Sequence, residues 1–182
     1  MISHHFKNIL PFSRSYWVIP GKLLAGQIPV DTNPDISTQK IKNLLKLNIR
    51  CIINLQEENE TNSEGILFRD YNHIISKIKP DYKYNFYRFP IKDMGIPQKK
   101  LMIKILNTID FEINNGNTVY VHCWGGIGRT GTVIGCYLIR HKMANKNNVI
   151  DMIKYLRRTD PENHRQSPET PEQINFILNW ED

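Results

Sequence analysis

Val119–Thr132 reads V-Y-V-H-C-W-G-G-I-G-R-T-G-T. Its apolar opening, Thr118–His122, predicts a short buried strand. Beyond it, Gly131–Ile139 (G-T-V-I-G-C-Y-L-I) is nearly all apolar and predicts a helix enclosed on several sides. Between the two lie Gly125, Gly126 and Gly128. Glycine permits backbone conformations denied to other residues, so amide N–H groups can turn inward and approach a ligand. Such N–H groups gathered at a helix N-terminus form a cradle for an anion. Cys123 stands at its centre, where the same positive potential favours a thiolate near neutral pH. Five residues separate it from Arg129, whose planar fork suits two oxygens of one oxyanion as a lysine would not. Thr130 offers a hydroxyl to the sulfur. A thiolate, an anion cradle and an arginine together describe nucleophilic attack on a phosphate ester. The plainer alternative is a buried structural cysteine before a glycine-rich turn. It leaves the coincidence of strand end, His-Cys, glycines, arginine and adjacent hydroxyl without a reason.

Outward from this stretch, short apolar runs alternate with amphipathic ones. Lys22–Ala25, Arg50–Leu55 and Tyr84–Ile91 are the further strand candidates. Ser37 is read as the cap of a helix to about Leu47. From Gln98 to about Asn114, Leu101, Ile105, Ile109 and Ile113 make one apolar face. Asn148 is read as the cap of a helix with Val149, Ile150, Ile153 and Leu156 inward, ended by Asp160-Pro161. Pro171–Trp180 is a last short helix. Residues 61–80 are either helix or a loop followed by one. Strands alternating with helices predict an α/β fold: a single domain over 1–182, with a central, mostly parallel sheet of four or five strands and helices on both faces.

The chain has 182 residues, 40% hydrophobic and 23% charged, values that exclude disorder and collagen-like repeats. The net charge of +6 favours acidic partners: phosphate groups, nucleic acid or anionic lipid. No block of like charges marks a nucleic-acid-binding tail, so nucleic acid is not an expected partner. No apolar run approaches the ~20 residues of a membrane-spanning helix. The opening M-I-S-H-H-F-K-N-I-L-P-F-S-R-S-Y-W-V-I-P-G lacks the apolar core of a secretory signal. Cys51, Cys123 and Cys136 are an odd set without a C-x-x-C pair, which points to a reducing, cytoplasmic setting and away from a structural metal. A monomer is expected.

H-C-x5-R-T-G, at His122–Gly131, resembles the signature of the cysteine-dependent protein tyrosine phosphatase superfamily, and the sequence looks like its small dual-specificity branch. R-C-I-I-N-L followed by Glu57-Glu58 is similar to a strand and acidic turn of these enzymes. W-V-I-P-G-K-L-L-A-G is similar to their entry segment. The resemblance covers about residues 16–178, the catalytic core, with 1–15 as an N-terminal extension. It implies that Trp124, Gly125, Gly126, Ile127 and Gly128, with Arg129, bind the phosphate. It also implies a general acid on a mobile loop about thirty residues before the cysteine. F-P-I-K-D-M-G-I-P puts Asp93 there. Taken alone Asp93 is a turn or helix-start residue. Asp70, Asp81 and Asp110 compete with it, the last inside an amphipathic helix pattern. In E-T-P-E-Q, Gln173 fits the second of two glutamines that position the hydrolytic water in the family, and Glu169 replaces the first. The alternative is a polar loop with Glu172 as a helix-start charge. His122 is implied to hydrogen-bond within the loop and affect the thiolate, the alternative being a neutral buried histidine of no special effect. Cys136 is read as core, and Cys51 is given no role. Trp124 either stacks on substrate or packs beside the loop, and is placed at the pocket rim.

The resemblance implies a phosphoric monoester hydrolase working through a cysteinyl-phosphate. W-G-G-I-G contains no lysine, which favours a singly phosphorylated target. The short chain leaves little room for pocket-deepening loops, so phosphoserine and phosphothreonine are expected beside phosphotyrosine, on a protein substrate. A phosphoinositide or inositol phosphate phosphatase is the second reading, and a phosphate-binding module without turnover the third. No cofactor or metal is expected, because the cradle supplies the positive charge that a metal supplies elsewhere.

Overall fold

Period-two alternation on short strands sets the layers of the fold. The computed structural model describes residues 9–182. Its elements, in chain order, are β1 (Ser15–Ile19), β2 (Leu23–Gly26), α1 (Pro34–Lys46), β3 (Ile49–Asn54), α2 (Tyr71–Ile78), β4 (Asn85–Arg88), α3 (Lys99–Asn114), β5 (Thr118–His122), α4 (Gly128–Arg140), α5 (Val149–Leu156) and α6 (Pro171–Leu178). The strands form one sheet in the order β1-β2-β5-β3-β4, parallel except for the antiparallel β1–β2 pair. Leu23, Ala25, Cys51, Ile53, Val119 and Val121 face the core built by α3, α4, α5 and α6. Leu24, Ile52 and Tyr120 face the other core, with Ile41 and Leu44 of α1 and Ile75 of α2. This is the predicted single α/β sheet with helices on both faces.

Most of α4 is buried, from Gly128 to Leu138. Gly135 admits α6 there: a Cβ on it would sit 2.4 Å from Ile177 Cδ1. Because β2, β5, β3 and β4 run parallel, the segments leaving their carboxyl ends gather at one edge. That edge of an open α/β sheet is where ligands bind. It brings together residues 26–28, 55–60, 89–93 and 123–127.

The elements differ from the sequence reading in detail. β1 was not predicted: it is a five-residue edge strand without clean alternation. The strand expected over 84–91 ends at Arg88, since Pro90 has no N–H to donate, although Phe89 and Ile91 still donate to the Asn54 and Leu55 carbonyls. The cap of α1 is Asn33, whose side chain accepts from the Asp35 and Ile36 amides; Ser37 lies one turn inside. Residues 61–70 are irregular and α2 follows, capped by Asp70. Asn148 precedes α5 but turns its side chain back to the Asn145 amide. The last helix stops at Leu178. Of the stretch read as an N-terminal extension, Leu10 and Phe12 pack against the second core. The first eight residues, also part of the stretch read for a signal, lie outside the described residues. Among the described residues no helix is long and apolar enough to cross a membrane.

Candidate active site

Between β5 and α4 the chain spends its carbonyls on the scaffold. His122 Nδ1 lies 3.1 Å from the Cys123 carbonyl. The Ile28 amide donates to the Trp124 carbonyl at 2.9 Å. Arg14 Nη2 donates to the Gly125 carbonyl at 2.9 Å, and the Ser167 hydroxyl to the Ile127 carbonyl at 2.7 Å. None of these peptides is cis, and in a trans peptide the next N–H points opposite to the carbonyl. The N–H groups of Trp124, Gly125, Gly126 and Gly128 therefore turn to the inside of the loop. Gly126 has φ +73°, and a Cβ on it would lie 2.3 Å from the Gly26 carbonyl carbon, so no other residue fits. Cys123 begins the loop, 3% exposed.

Arg129 enters from the first turn of α4. Its Nη1 and Nη2 meet Glu60 Oε2 and Oε1 at 2.6 and 2.7 Å. Nη1 also donates to the Ile91 carbonyl at 3.1 Å, and Nη2 lies 2.8 Å from Asp93 Oδ1. Burial alone would raise the Glu60 carboxyl, but hydrogen bonds from Arg129 and Gln56 outweigh it and hold Glu60 below its ordinary value. Burial likewise works against the Arg129 charge, and the Glu60 hydrogen bonds reverse it, so the guanidinium is held more firmly protonated than usual. The bidentate pair fixes the guanidinium plane.

Of the residues singled out in the sequence, Arg129 and Asp93 meet, and Cys123 opens the loop that leads into the helix bearing Arg129. Asp93 is about half exposed. Its competitors are elsewhere: Asp70 caps α2, Asp110 binds Arg140 and His141, and Asp81 is exposed. The hydroxyl expected on the sulfur is not there. Thr130 Oγ1 is buried without a hydrogen-bond partner. The helix begins at Gly128, ahead of the predicted Gly131, so Thr130 lies inside the first turn of α4. Gln173 is fully buried, and its amide is committed to backbone. Its Oε1 accepts from the Glu169 and Thr170 amides, and its Nε2 donates to the Gly95 carbonyl at 2.9 Å. It caps α6 and ties the Asp93 loop to that helix. Glu169 pairs with Arg165 and reaches the loop, since a Cβ on Gly128 would meet Glu169 Oε2 at 2.7 Å. Trp124 is partly buried, 5.9 Å from the Phe68 ring, and lines a cleft of about 440 Å³. His122 is fully buried, its Nε2 2.9 Å from the Tyr71 hydroxyl. A carbonyl only accepts, so Nδ1 carries the proton and Nε2 accepts from Tyr71. Burial pushes its pKa down to about 3, so the ring is neutral.

Glu60, Arg14 and Ser167 escaped the sequence reading. The acidic turn was noticed at Glu57-Glu58, but both of these are exposed and the residue on Arg129 is Glu60. Nothing in S-R-S or Q-S-P singles out Arg14 or Ser167.

Residues 28–143 match a family described as polymorphic toxin system, DSP-PTPase phosphatase. The chain belongs to this family. An uncharacterized protein of Methanocaldococcus jannaschii is 37% identical over 91 residues, 50% of this chain and 56% of that one. Mouse protein tyrosine phosphatase domain-containing protein 1 is 32% identical over 101 residues, 54% of this chain but 13% of its own length. The chain therefore spans little more than half of the first relative and a small part of the second. The crystal structure of PTPMT1 in complex with PI(5)P superimposes with a TM-score of 0.64 at 21% identity, covering 90% of this chain and 92% of that one. The fold is thus that of the tyrosine and dual-specificity phosphatase superfamily.

Two outcomes follow from the geometry of this family member. Arg14→Met removes the donor on Gly125 and should weaken binding of inorganic phosphate about tenfold, the usual cost of one unsatisfied buried acceptor, as calorimetric titration would show. A Kd within twofold of the unaltered chain would refute the tether. The second concerns His122, whose ring titrates near 6.5 in the unfolded chain and near 3 in the folded one. Its contribution to stability is complete above the higher value and is lost as pH falls toward the lower, because only the unfolded chain takes up the proton. Denaturant unfolding at about pH 7 and about pH 5.5 should differ by about 1 kcal/mol, and His122→Gln should abolish that difference.

Proposed function

We propose that the protein hydrolyses phosphoric monoesters through Cys123, as a dual-specificity protein phosphatase. The observation that carries this reading is Arg129 held between Glu60 and Asp93 at the mouth of an amide-lined loop that begins with a cysteine. A guanidinium has five N–H groups. Glu60 and Ile91 take three, leaving the Nε edge and the second Nη2 proton, with Asp93 ion-paired beside Nη2. A phosphate oxygen pair that takes this edge displaces Asp93 and frees its carboxyl to face the leaving oxygen.

The cycle then balances. The Cys123 sulfur attacks phosphorus, the P–O bond to the leaving group breaks, and Asp93 gives that oxygen its proton. Loop amides and Arg129 carry the charge on the non-bridging oxygens. Water next attacks the cysteinyl-phosphate, Asp93 takes its proton, and the S–P bond breaks to release phosphate and the sulfur nucleophile. Asp93 is thus acid in one half and base in the other. The neutral His122 transfers no proton. It fixes the Cys123 carbonyl.

Support for a singly phosphorylated target comes from the surroundings of the loop. W-G-G-I-G has no lysine, and Glu57, Glu58, Glu60 and Asp70 line the adjoining hollow of about 210 Å³, beside Arg69 and Arg88. Acidic walls disfavour a polyanion. The lipid reading rests on the fold shared with PTPMT1, and a shared fold does not choose a substrate. The setting proposed is the cytoplasm, whose reducing pool leaves a nucleophilic thiol free.

Cys123→Ser should abolish phosphate release from 4-nitrophenyl phosphate while the chain stays folded, and a chelator should leave the unaltered protein's rate unchanged. Activity of the variant within about tenfold of the unaltered chain would sink the assignment. Asp93→Asn should act in two opposite directions. Removing the competing carboxylate from Arg129 should tighten inorganic phosphate several-fold, an effect on the order of one exposed ion pair. Loss of the acid should lower kcat roughly 10²–10⁴-fold on phosphoserine peptides and much less on the nitrophenyl ester, whose leaving group departs unaided. Equal slowing of both substrates would place the acid on another residue.

A further inference from the structure

The parallel strands have a second edge, opposite the loop. The register pairs Ile49 with Thr118, Cys51 with Asn85 and Leu23 with Val119, so the amino ends of β2, β3, β4 and β5 lie together. α1, α2 and α3 return the chain to that edge and end there. Residues 20–22, 42–50, 76–85 and 114–118 form it. They hold seven lysines and arginines and one acid, Asp81, a surplus equal to the net charge of the whole chain, +6. Lys22, Lys42, Lys46, Lys77, Lys79 and Lys83 are exposed. Among the described residues none of them is in an ion pair, nor is Arg50. Helix ends account for Lys46, Lys77 and Lys79, whose charge complements the negative end of the dipole. They give no reason for Lys22, Arg50 and Lys83. Arg50 is held in place. Its Nε donates to Asn48 Oδ1 at 2.8 Å and its Nη1 to the Lys83 carbonyl at 2.9 Å. The guanidinium lies 4.4 Å from the centre of the Tyr82 ring, and Lys79 Nζ lies 4.9 Å from the same ring. Nη2 has no hydrogen-bond partner among the described residues, and Arg50 lines a hollow of about 380 Å³ with Lys83 and Asn117.

We propose that this edge docks the protein on an anionic lipid surface, with Arg50 and Lys83 seating one phosphodiester headgroup. In the cytoplasmic setting proposed above, that surface is the inner leaflet, whose negative potential attracts clusters of about four to eight basic residues. The cations are spread over several segments on flexible stems, which suits a plane of many headgroups better than one acidic peptide. No large apolar side chain is exposed in these segments, so the contact is electrostatic and without insertion. Nucleic acid fits less well. The Tyr82 hydroxyl donates to the Ile49 carbonyl at 2.7 Å and the Tyr84 hydroxyl to Asn72 Oδ1 at 2.6 Å, so neither ring is free to stack on a base. The edge is made of helix ends and turns, with no helix side to lie in a groove. β5 is five residues long, so the loop faces away from this edge, roughly 17 Å across the sheet. Under the hydrolase reading, esters carried by proteins at the surface then come within reach of the loop, and lipids of the bilayer beneath do not.

Co-sedimentation of the full chain with vesicles tests the surface. Vesicles of phosphatidylcholine and phosphatidylserine at about three to one should bind it at about 0.15 M salt, and phosphatidylcholine alone should not. Binding should fall steeply as salt rises. Lys46→Ala, Lys79→Ala and Lys83→Ala should each weaken the partition about fivefold and together about 10²-fold, whereas the same positions changed to Arg should keep it. The three together should leave binding of inorganic phosphate to the loop unchanged, which also shows that the variant is folded. Lys99→Ala, Lys100→Ala and Lys104→Ala on α3 serve as the control and should change the partition less than about twofold. Equal binding to the two kinds of vesicle, or an equal loss from the α3 variants, overturns the proposal. So does tighter binding to a short DNA duplex than to the mixed vesicles at the same salt, which would make the partner nucleic acid. None of these measurements involves turnover. A chain that binds in this way and releases no phosphate keeps the docking surface and loses the hydrolase reading, and one that releases phosphate without binding vesicles does the reverse.

Discussion

Amide N–H groups aimed at one point repel one another, and only outward anchoring of the carbonyls on the same peptides can hold them so. Four parts of the chain supply that anchoring: the ring of His122, the Ile28 amide after β2, Arg14 before β1, and Ser167 before α6. The glycines answer the same constraint. Gly26 and Gly126 stand back to back, and a Cβ on Gly26 would itself lie 2.5 Å from the Arg14 carbonyl oxygen. Residue 14, the end of β2 and the loop are thus stacked at backbone contact. The cradle is made by β1–β2 as much as by the loop.

Arg129 adds a second constraint of the opposite kind. Burying a guanidinium beside a carboxylate is costly, and such pairs often give little net stability. Here the pair removes freedom: with Nη1 spent on Glu60 and Ile91, one edge of the plane faces the loop. Asp93 rests on that edge, and the loop bearing it is tied through Gly95 to Gln173, which also caps α6. The helix that packs Ile177 under Gly135 therefore also sets where the acid loop sits. Core packing and the candidate chemistry share one buried side chain.

What the sequence discloses and what it hides divide along the range of the interaction. The glycine loop, the strand before it and the helix after it are local patterns, and they were legible together with the sheet they imply. Asp93 was legible only through the resemblance, because an aspartate before glycine and proline is an ordinary turn. Arg14, Glu60 and Ser167 act on residues 111, 69 and 40 positions away, and no periodicity marks them. The acidic turn after β3 was found in outline but pinned to Glu57-Glu58, since only the path of the loop decides which carboxylate turns inward. Thr130 was read as part of the loop, but the helix starts sooner than its apolar run and takes Thr130 in, where its hydroxyl has no hydrogen-bond partner.

Charge shows most clearly how a global reading and a local one part company. A net +6 favours anionic partners for the chain as a whole. Yet around the loop Arg129 is answered by Glu60 and Asp93, Lys40 by Asp31, and the neighbouring hollow carries Glu57, Glu58 and Asp70. The excess of lysine and arginine lies elsewhere on the surface, where salt screens it over about 8–10 Å. What a phosphate seated on the loop would meet is one arginine edge and four inward amides. That arrangement stabilises a single phosphoryl group strongly and further charges weakly. Under the proposed hydrolase reading, discrimination among phosphate esters is then left to contacts beyond the phosphoryl group itself.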